Sequence, residues 1–246
     1  MEITFTNTLH PVSLDLYKPI PASKVLPEWY KDLNSYLGNP KEPFNNVSNA
    51  TIKKCLPVFD SMSAGYIIPT YVDIFVYQKP ESITNPETNE TYETSETFAN
   101  YSWPQHTPIQ FHNVIQAPTH PDRNGHALYP KWINPWSIKT PKGYSCLFIP
   151  PLHHPNEYFS ILPGLVDTDD YVTPVNFPFA LKDVKFAGII PAGTPMVQVI
   201  PIKRDSWKMT FGDDKIRKQA VNQELELRSV FYDAYKTMVR RKKEYK

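Results

Sequence analysis

Glycine is scarce in this sequence, with eight in 246 residues against twenty-six prolines. A chain this poor in glycine carries neither a Walker-type phosphate loop nor a Gly-x-Gly-x-x-Gly turn, which excludes the two commonest backbone cradles for nucleotides. Cysteine is nearly missing too. Cys55 and Cys146 lie far apart with no CxxC partner, which excludes a disulfide-stapled scaffold and points to a reducing compartment. No apolar run approaches the roughly 18 residues of a membrane span. Residues 1–15 lack the basic stretch and apolar run of a signal peptide. Neither sign of charge dominates: the formal net charge is +1, so no global field draws the chain to nucleic acid or a membrane. There is no Gly-x-Ser-x-Gly, and neither cysteine has the local signature of a nucleophile. The expected location is the cytoplasm.

What is present is aromatic and strand-like. Hydrophobic residues make up 41% and aromatic residues 13%, enough for a packed core in a single domain. Proline is excluded from helix interiors and from central strands. Its abundance therefore argues for many short strands and turns, and against a helical bundle or a doubly wound α/β fold. An opening strand is expected within residues 1–17, and a short helix at 26–33 with Pro27 in its first turn. Residues 54–58 and 66–77 read as strands. Residues 79–100 are polar and form an exposed hairpin or loop, and residues 103–136 an irregular insertion with one strand near 109–115. Further strands are expected at 137–140, 144–149, 158–162, 171–179, 184–190 and 196–204, with Pro/Gly turns between them. The fold class is mainly β: one domain over residues 1–212, interrupted by an insertion at about 79–136.

The composition changes after Gly212. Asp213 and Asp214 can cap a helix. Ile216, Ala220, Leu227, Phe231, Ala234 and Met238 recur at helical spacing. Residues 213–246 are therefore expected as one amphipathic helix. Its last eleven residues carry six Lys/Arg and one Glu, which suits the helix macrodipole. This basic end is where nucleic acid or a partner chain could be contacted.

Gly164-Leu165-Val166-Asp167-Thr168-Asp169-Asp170-Tyr171 resembles the third motif of the dUTPase and dCTP deaminase superfamily, the β-clip proteins, with one residue inserted before the Tyr. Ala64-Gly65-Tyr66 resembles the first motif. Gly193 and Gln198 are similar to the glycine turn and inward Gln of the fourth. The segments at 164–169, 175–179 and 191–201 also resemble an uncharacterised family of tailed marine phages. The resemblance implies a β-clip-like barrel or sandwich, a homotrimer, and a nucleotide-like or other small ligand. It implies Asp167 as a water-activating base, Tyr171 as a stacking ring, and Tyr66, Gly164, Asp169 and Gln198 around the ligand. The sequence departs from the pattern in three places. Ile67 stands where dUTPases have Asp, no Arg or Ser follows Pro150-Pro151 to hold a triphosphate, and a helix replaces the glycine-rich arm. The residues admit a plainer account: Asp167 and Asp169 as turn-capping acids, Gly164 and Gly193 as turn glycines with positive φ, and Gln198 satisfying buried backbone.

His106, His112, His120 and His126 cluster in the insertion, with His153 and His154 beyond it. His120-x-Asp122 has the spacing of two ligands of a two-His, one-carboxylate iron site, and His153 or His154 could complete it. Trp103, Phe111, Tyr129, Trp132 and Trp136 could cage a ligand or anchor the insertion by packing. Three functions stay open: a phage-type small-ligand-binding protein with hydrolysis in doubt, a non-enzymatic phage structural or interaction protein found in the host cytoplasm or the virion, and a metal-dependent oxygenase. The sequence names no cofactor.

Overall fold

The computed structural model describes residues 1–9, 17–39, 49–84, 89, 91–101, 108–112, 129–183, 185–229 and 233–246. The chain is mainly β, as expected, and among the described residues all strand pairs are antiparallel. Strands are β1 (Thr4–Asn7), β2 (Ile20–Pro21), β3 (Tyr66–Pro69), β4 (Ile74–Thr84), β5 (Thr91–Tyr101), β6 (Ile109–His112) and β7 (Tyr129–Trp132). They continue with β8 (Trp136–Lys139), β9 (Tyr144–Ile149), β10 (Phe159–Ile161), β11 (Gly164–Val166), β12 (Phe177–Leu181), β13 (Gly188–Ile190) and β14 (Pro195–Lys203). They form a five-stranded sheet in the order β11-β9-β14-β3-β2, a four-stranded sheet β10-β12-β7-β6, a three-stranded sheet β13-β4-β5 and the pair β1-β8. No sheet among the described residues closes into a barrel. The architecture is a set of open sheets around one core.

The core joins these sheets through aromatic side chains. Phe148 of β9 meets Phe177 of β12 with ring centroids 5.5 Å apart, and Tyr71 meets Trp132 of β7 at 5.0 Å. Aromatic rings bury large areas in few residues, which is how short strands fill this interior. β14 is the central strand. Met196, Val197, Gln198 and Val199 are all buried along it: the three apolar side chains belong to the core, and Gln198 donates to the Ser61 carbonyl near the end of helix α2 (Leu56–Met62). At its start the ladder slips between Pro195 and Val197, where Pro195 faces Pro69. Neither proline can donate to the ladder, so both sit at the strand end.

Several expectations need correction. Residues 54–58 are helical rather than a strand: a single turn (Ile52–Lys54) leads into α2. Pro57 lies in the first turn of α2, where its fixed φ suits a helix and no N–H is missed. The short helix α1 (Glu28–Asp32) lies within the expected span, with Pro27 as its N-cap rather than in its first turn. Of the two alternatives for 79–100 the hairpin holds: residues 79–84 and 91–100 belong to β4 and β5, paired from Ile74 with Tyr101 to Thr84 with Thr91. Residues 171–176 are not a strand, whereas Gly164–Val166 is. The expected C-terminal helix is interrupted. Helix α3 (Asp214–Ser229) is followed by a wide helical turn (Tyr235–Val239) and then an extended tail. Asp233 at φ 56 is left-handed, a conformation no right-handed helix contains. Nor is α3 docked on the body: nearly every residue along it is exposed.

Gly65 explains the tight join between α2 and β3. Its φ is +68, and a Cβ there would lie 1.9 Å from the Val199 carbonyl oxygen. Both the backbone conformation and the space require glycine. Gly65→Ala should cost at least about 3 kcal/mol, read as a lower urea midpoint with an unchanged slope.

Candidate functional site

The turn after β11 holds the acids that the sequence singled out. Asp170 N–H and Tyr171 N–H donate to the Asp167 carbonyl at 3.1 and 2.9 Å, winding the chain into a tight turn. That turn points Asp169 inward. Its side chain is 1% exposed. It accepts the Gly143 N–H at 2.8 Å and both Arg204 Nη atoms, Nη1 at 2.8 Å. Gly143 has φ +85, which lets the β8-β9 turn bend its amide toward the acid. Arg204 in turn donates its own N–H to the Gly143 carbonyl at 2.8 Å. A two-pronged guanidinium–carboxylate pair is geometrically specific as well as strong. The hydrogen bonds from Arg204, and then the Gly143 amide, hold the Asp169 carboxyl well below the usual carboxylate range, against the desolvation that opposes them.

Asp167 lies outward but is also occupied. Ser145 Oγ donates to it at 2.6 Å, and Arg204 Nη1 lies 3.3 Å away. Its negative charge is shared with the cation that clamps Asp169. Tyr171 projects from the same turn, half exposed. Gln198 is 1% exposed and fully employed. Its Oε1 accepts Leu152 N–H at 2.9 Å, and its Nε2 donates to the carbonyls of Ser61 and Ala64 at 2.9 and 2.7 Å. This ties β14 to the end of α2 and to the β9-β10 connection. Gly193 has positive φ as expected, but Gly164 does not, since it opens β11.

Tyr66 belongs to a different place. A cavity of about 350 Å³ is lined by Tyr66, Thr140, Tyr144, Pro201, Lys243 and Tyr245, among others. Neither Asp167, Asp169, Tyr171 nor Gln198 lines it. One wall is the C-terminal tail. Arg240 Nη2 reaches Asp60 at 2.6 Å, Lys243 Nζ reaches the same carboxylate at 3.0 Å, and the Tyr245 ring meets Tyr66 edge-on at 6.0 Å. The hydrogen bond from Arg240 lowers the Asp60 pKa, and burial raises that of the Tyr66 hydroxyl.

The expected site residues are therefore not brought together. Asp167, Asp169 and Tyr171 share one turn, Gln198 is internal, and Tyr66 faces a separate cavity. His120 and Asp122 lie outside the described residues, as do His106 and His126, and no side chain is described for His112. Among the described residues no three His, Cys, Asp or Glu side chains could hold a metal. His154 is half-buried, and burial lowers its pKa. Burial pushes the Cys146 thiol up to about 11, so it is no nucleophile. Of the five aromatics considered as a cage, Trp132 and Trp136 are buried in the core. Trp103 lies outside the described residues, and no side chain is described for Tyr129.

The most unusual surface lies beyond Arg204. Trp207, Met209 and Phe211 are 91%, 81% and 92% exposed. They alternate with Lys208 and Thr210, the period of a strand that would bury one face. An arm of residues 205–229 thus leaves the body after Arg204, and the chain is anchored again by Asp233 to Lys54 and by Arg240 to Asp60. Sequence reasoning passed over this arm, although the apolar alternation at 207, 209 and 211 was there to read.

No family model matches the chain, and no curated protein matches it significantly. Among the described residues, no helix is long and apolar enough to cross a membrane.

The Asp169 clamp predicts an acid-sensitive fold. A carboxylate whose folded pKa is depressed contributes stability above its unfolded value of about 3.9, and that contribution fades as pH falls below it. Asp169→Asn should therefore be less stable than the native chain at pH 7. The gap in urea midpoint should narrow steadily toward pH 2. A constant gap would contradict the clamp.

Proposed function

We propose that this chain is a non-enzymatic interaction protein, a β scaffold that presents an apolar arm to a macromolecular partner. The observation that carries the reading is the exposure of Trp207, Met209 and Phe211 on one alternating stretch. Isolated exposed hydrophobics are ordinary, but a contiguous set of large ones marks an interaction surface. Trp, Phe and Met are also residues enriched at protein interfaces. Asp167, expected to activate water, and Asp169, expected to bind a ligand, support the same reading. Asp169 is buried under Arg204, and Asp167 is held by Ser145 and Arg204, so both carboxylates brace a turn. On this reading the resemblance to β-clip and tailed-phage proteins concerns the scaffold and its role in an assembly.

The cavity beside Tyr66 favours a second reading, a small-ligand protein. Its volume of about 350 Å³ falls at the lower end of the range for ligand sites. Tyr66, Tyr144 and Lys243 would offer a ligand two rings and a cation. A thermal-shift series with nucleoside mono- and triphosphates separates the two. A ligand at a hundred times its dissociation constant adds about 2.7 kcal/mol, which is a plain rise in melting temperature. The interaction reading expects no shift. A saturable shift that Tyr66→Phe reduces would overturn it in favour of the ligand reading.

A further inference from the structure

We propose that the partner of the arm is a second copy of this chain, with two α3 helices pairing antiparallel and the residues before each helix covering the ends of the seam. This rests on the interaction reading above and names its partner.

The spacing along α3 comes first. Ile216, Ala220, Gln223 and Leu227 follow one another at intervals of four, three and four. That is the seam of a two-helix coiled coil, where knobs recur every 3.5 residues on average. In an antiparallel pair Ile216 of one copy meets Leu227 of the other, and Ala220 meets Gln223. The arrangement is self-complementary and closes on itself as a two-fold dimer.

Charge selects the direction. Arg217 and Glu224 both flank this seam on the same side. Flanking residues of this type face each other when helices run antiparallel, so Arg217 of each copy meets Glu224 of the other, twice per dimer. A parallel pair would set Gln219 against Glu224 and lose the attraction. Both side chains are available at the surface. Among the described residues Arg217 pairs with Asp214 of its own helix at 3.1 Å, and Glu224 with Arg228 at 2.6 Å, with all four largely exposed.

Area then asks for more than the helices. Ile216 on the seam is 54% exposed, yet a sixteen-residue helix, about 24 Å long, offers a short seam. Trp207, Met209 and Phe211 lie immediately before α3. In an antiparallel pair they run past the far end of the partner helix. Aromatic side chains bury roughly 150–250 Å² each, so Trp207 and Phe211, with the smaller share of Met209 added, remove on the order of 500 Å² per chain. Added to the seam, this approaches the roughly 800 Å² per partner of a stable interface. The tethers at Arg204 and Arg240 leave the body's own packing untouched when two arms meet.

Sedimentation equilibrium of the intact chain across the micromolar range tests the pairing, alongside Arg217→Glu, Glu224→Arg, the double reversal, and the triple variant W207S/M209S/F211S. The native chain should be a dimer. Each single reversal should weaken it about tenfold, and the double reversal should restore it, since the two charges then attract in exchanged positions. The triple variant should be a monomer whose unfolding midpoint matches that of the native chain diluted until it is monomeric. A native chain that stays monomeric, while the triple variant remains equally stable, overturns the self-pairing and leaves the interaction reading standing. A dimer insensitive to the charge reversals overturns the antiparallel seam. A triple variant whose monomer melts far below the native monomer at the same dilution would mean the arm packs on its own body, and would overturn the interaction reading as well.

Discussion

The pairing of Arg204 with Asp169 sets the limit of the folded body. Arg204 stands one residue past the end of β14, the strand that pairs with both β9 and β3. Its guanidinium ties that end to the acid turn after β11, and its backbone N–H ties it to the β8-β9 turn through Gly143. Three segments distant in sequence are thus fixed at one point. Up to Arg204 the chain is held by ladders and core; directly after it comes the exposed stretch with Trp207. Removing one partner of such a pair leaves a charge without its hydrogen bonds, which is why the turn acids read as structural.

A second arginine does similar work at the other end of the excursion. Arg240 is bound to Asp60 on α2, and the tail beyond it walls the cavity beside Tyr66. The arm therefore leaves and returns at fixed points on a rigid scaffold. Presentation of that kind limits the entropy lost on binding, because the anchor points are already ordered. It also separates two parts of the molecule. Asp169, Gln198 and Gly65 hold the body together, whereas Trp207, Met209 and Phe211 of the arm stand almost fully exposed.

The legible part of the fold was its strand content and punctuation. Tyr144–Ile149 and Pro195–Lys203 follow from β-branched and aromatic residues between Pro/Gly turns, and Gly193 from its turn. Residues 54–58 misled because so short a run with Cys55, Leu56 and Val58 does not distinguish strand from helix, although Pro57 suits the first turn of a helix and not a central strand. The motif resemblance drew attention to Asp167, Asp169, Tyr66 and Gln198. Their division between a clamp, a cavity and an internal tie depends on Arg204 and the tail, which lie far away in sequence. The periodicity of 216–238 was real, but a helical stripe says only that one face can be covered, not that this chain covers it.

Amide hydrogen exchange of the dilute chain, resolved along the sequence, tests most directly the view that Arg204 marks where the body stops. Amides of β14 and of Gly143 should exchange only through global unfolding, whereas those of residues 205–211 should exchange at rates near those of an unstructured peptide. Protection at 205–211 matching that of β14 would contradict the account, because the arm would then be part of the body it is held to leave.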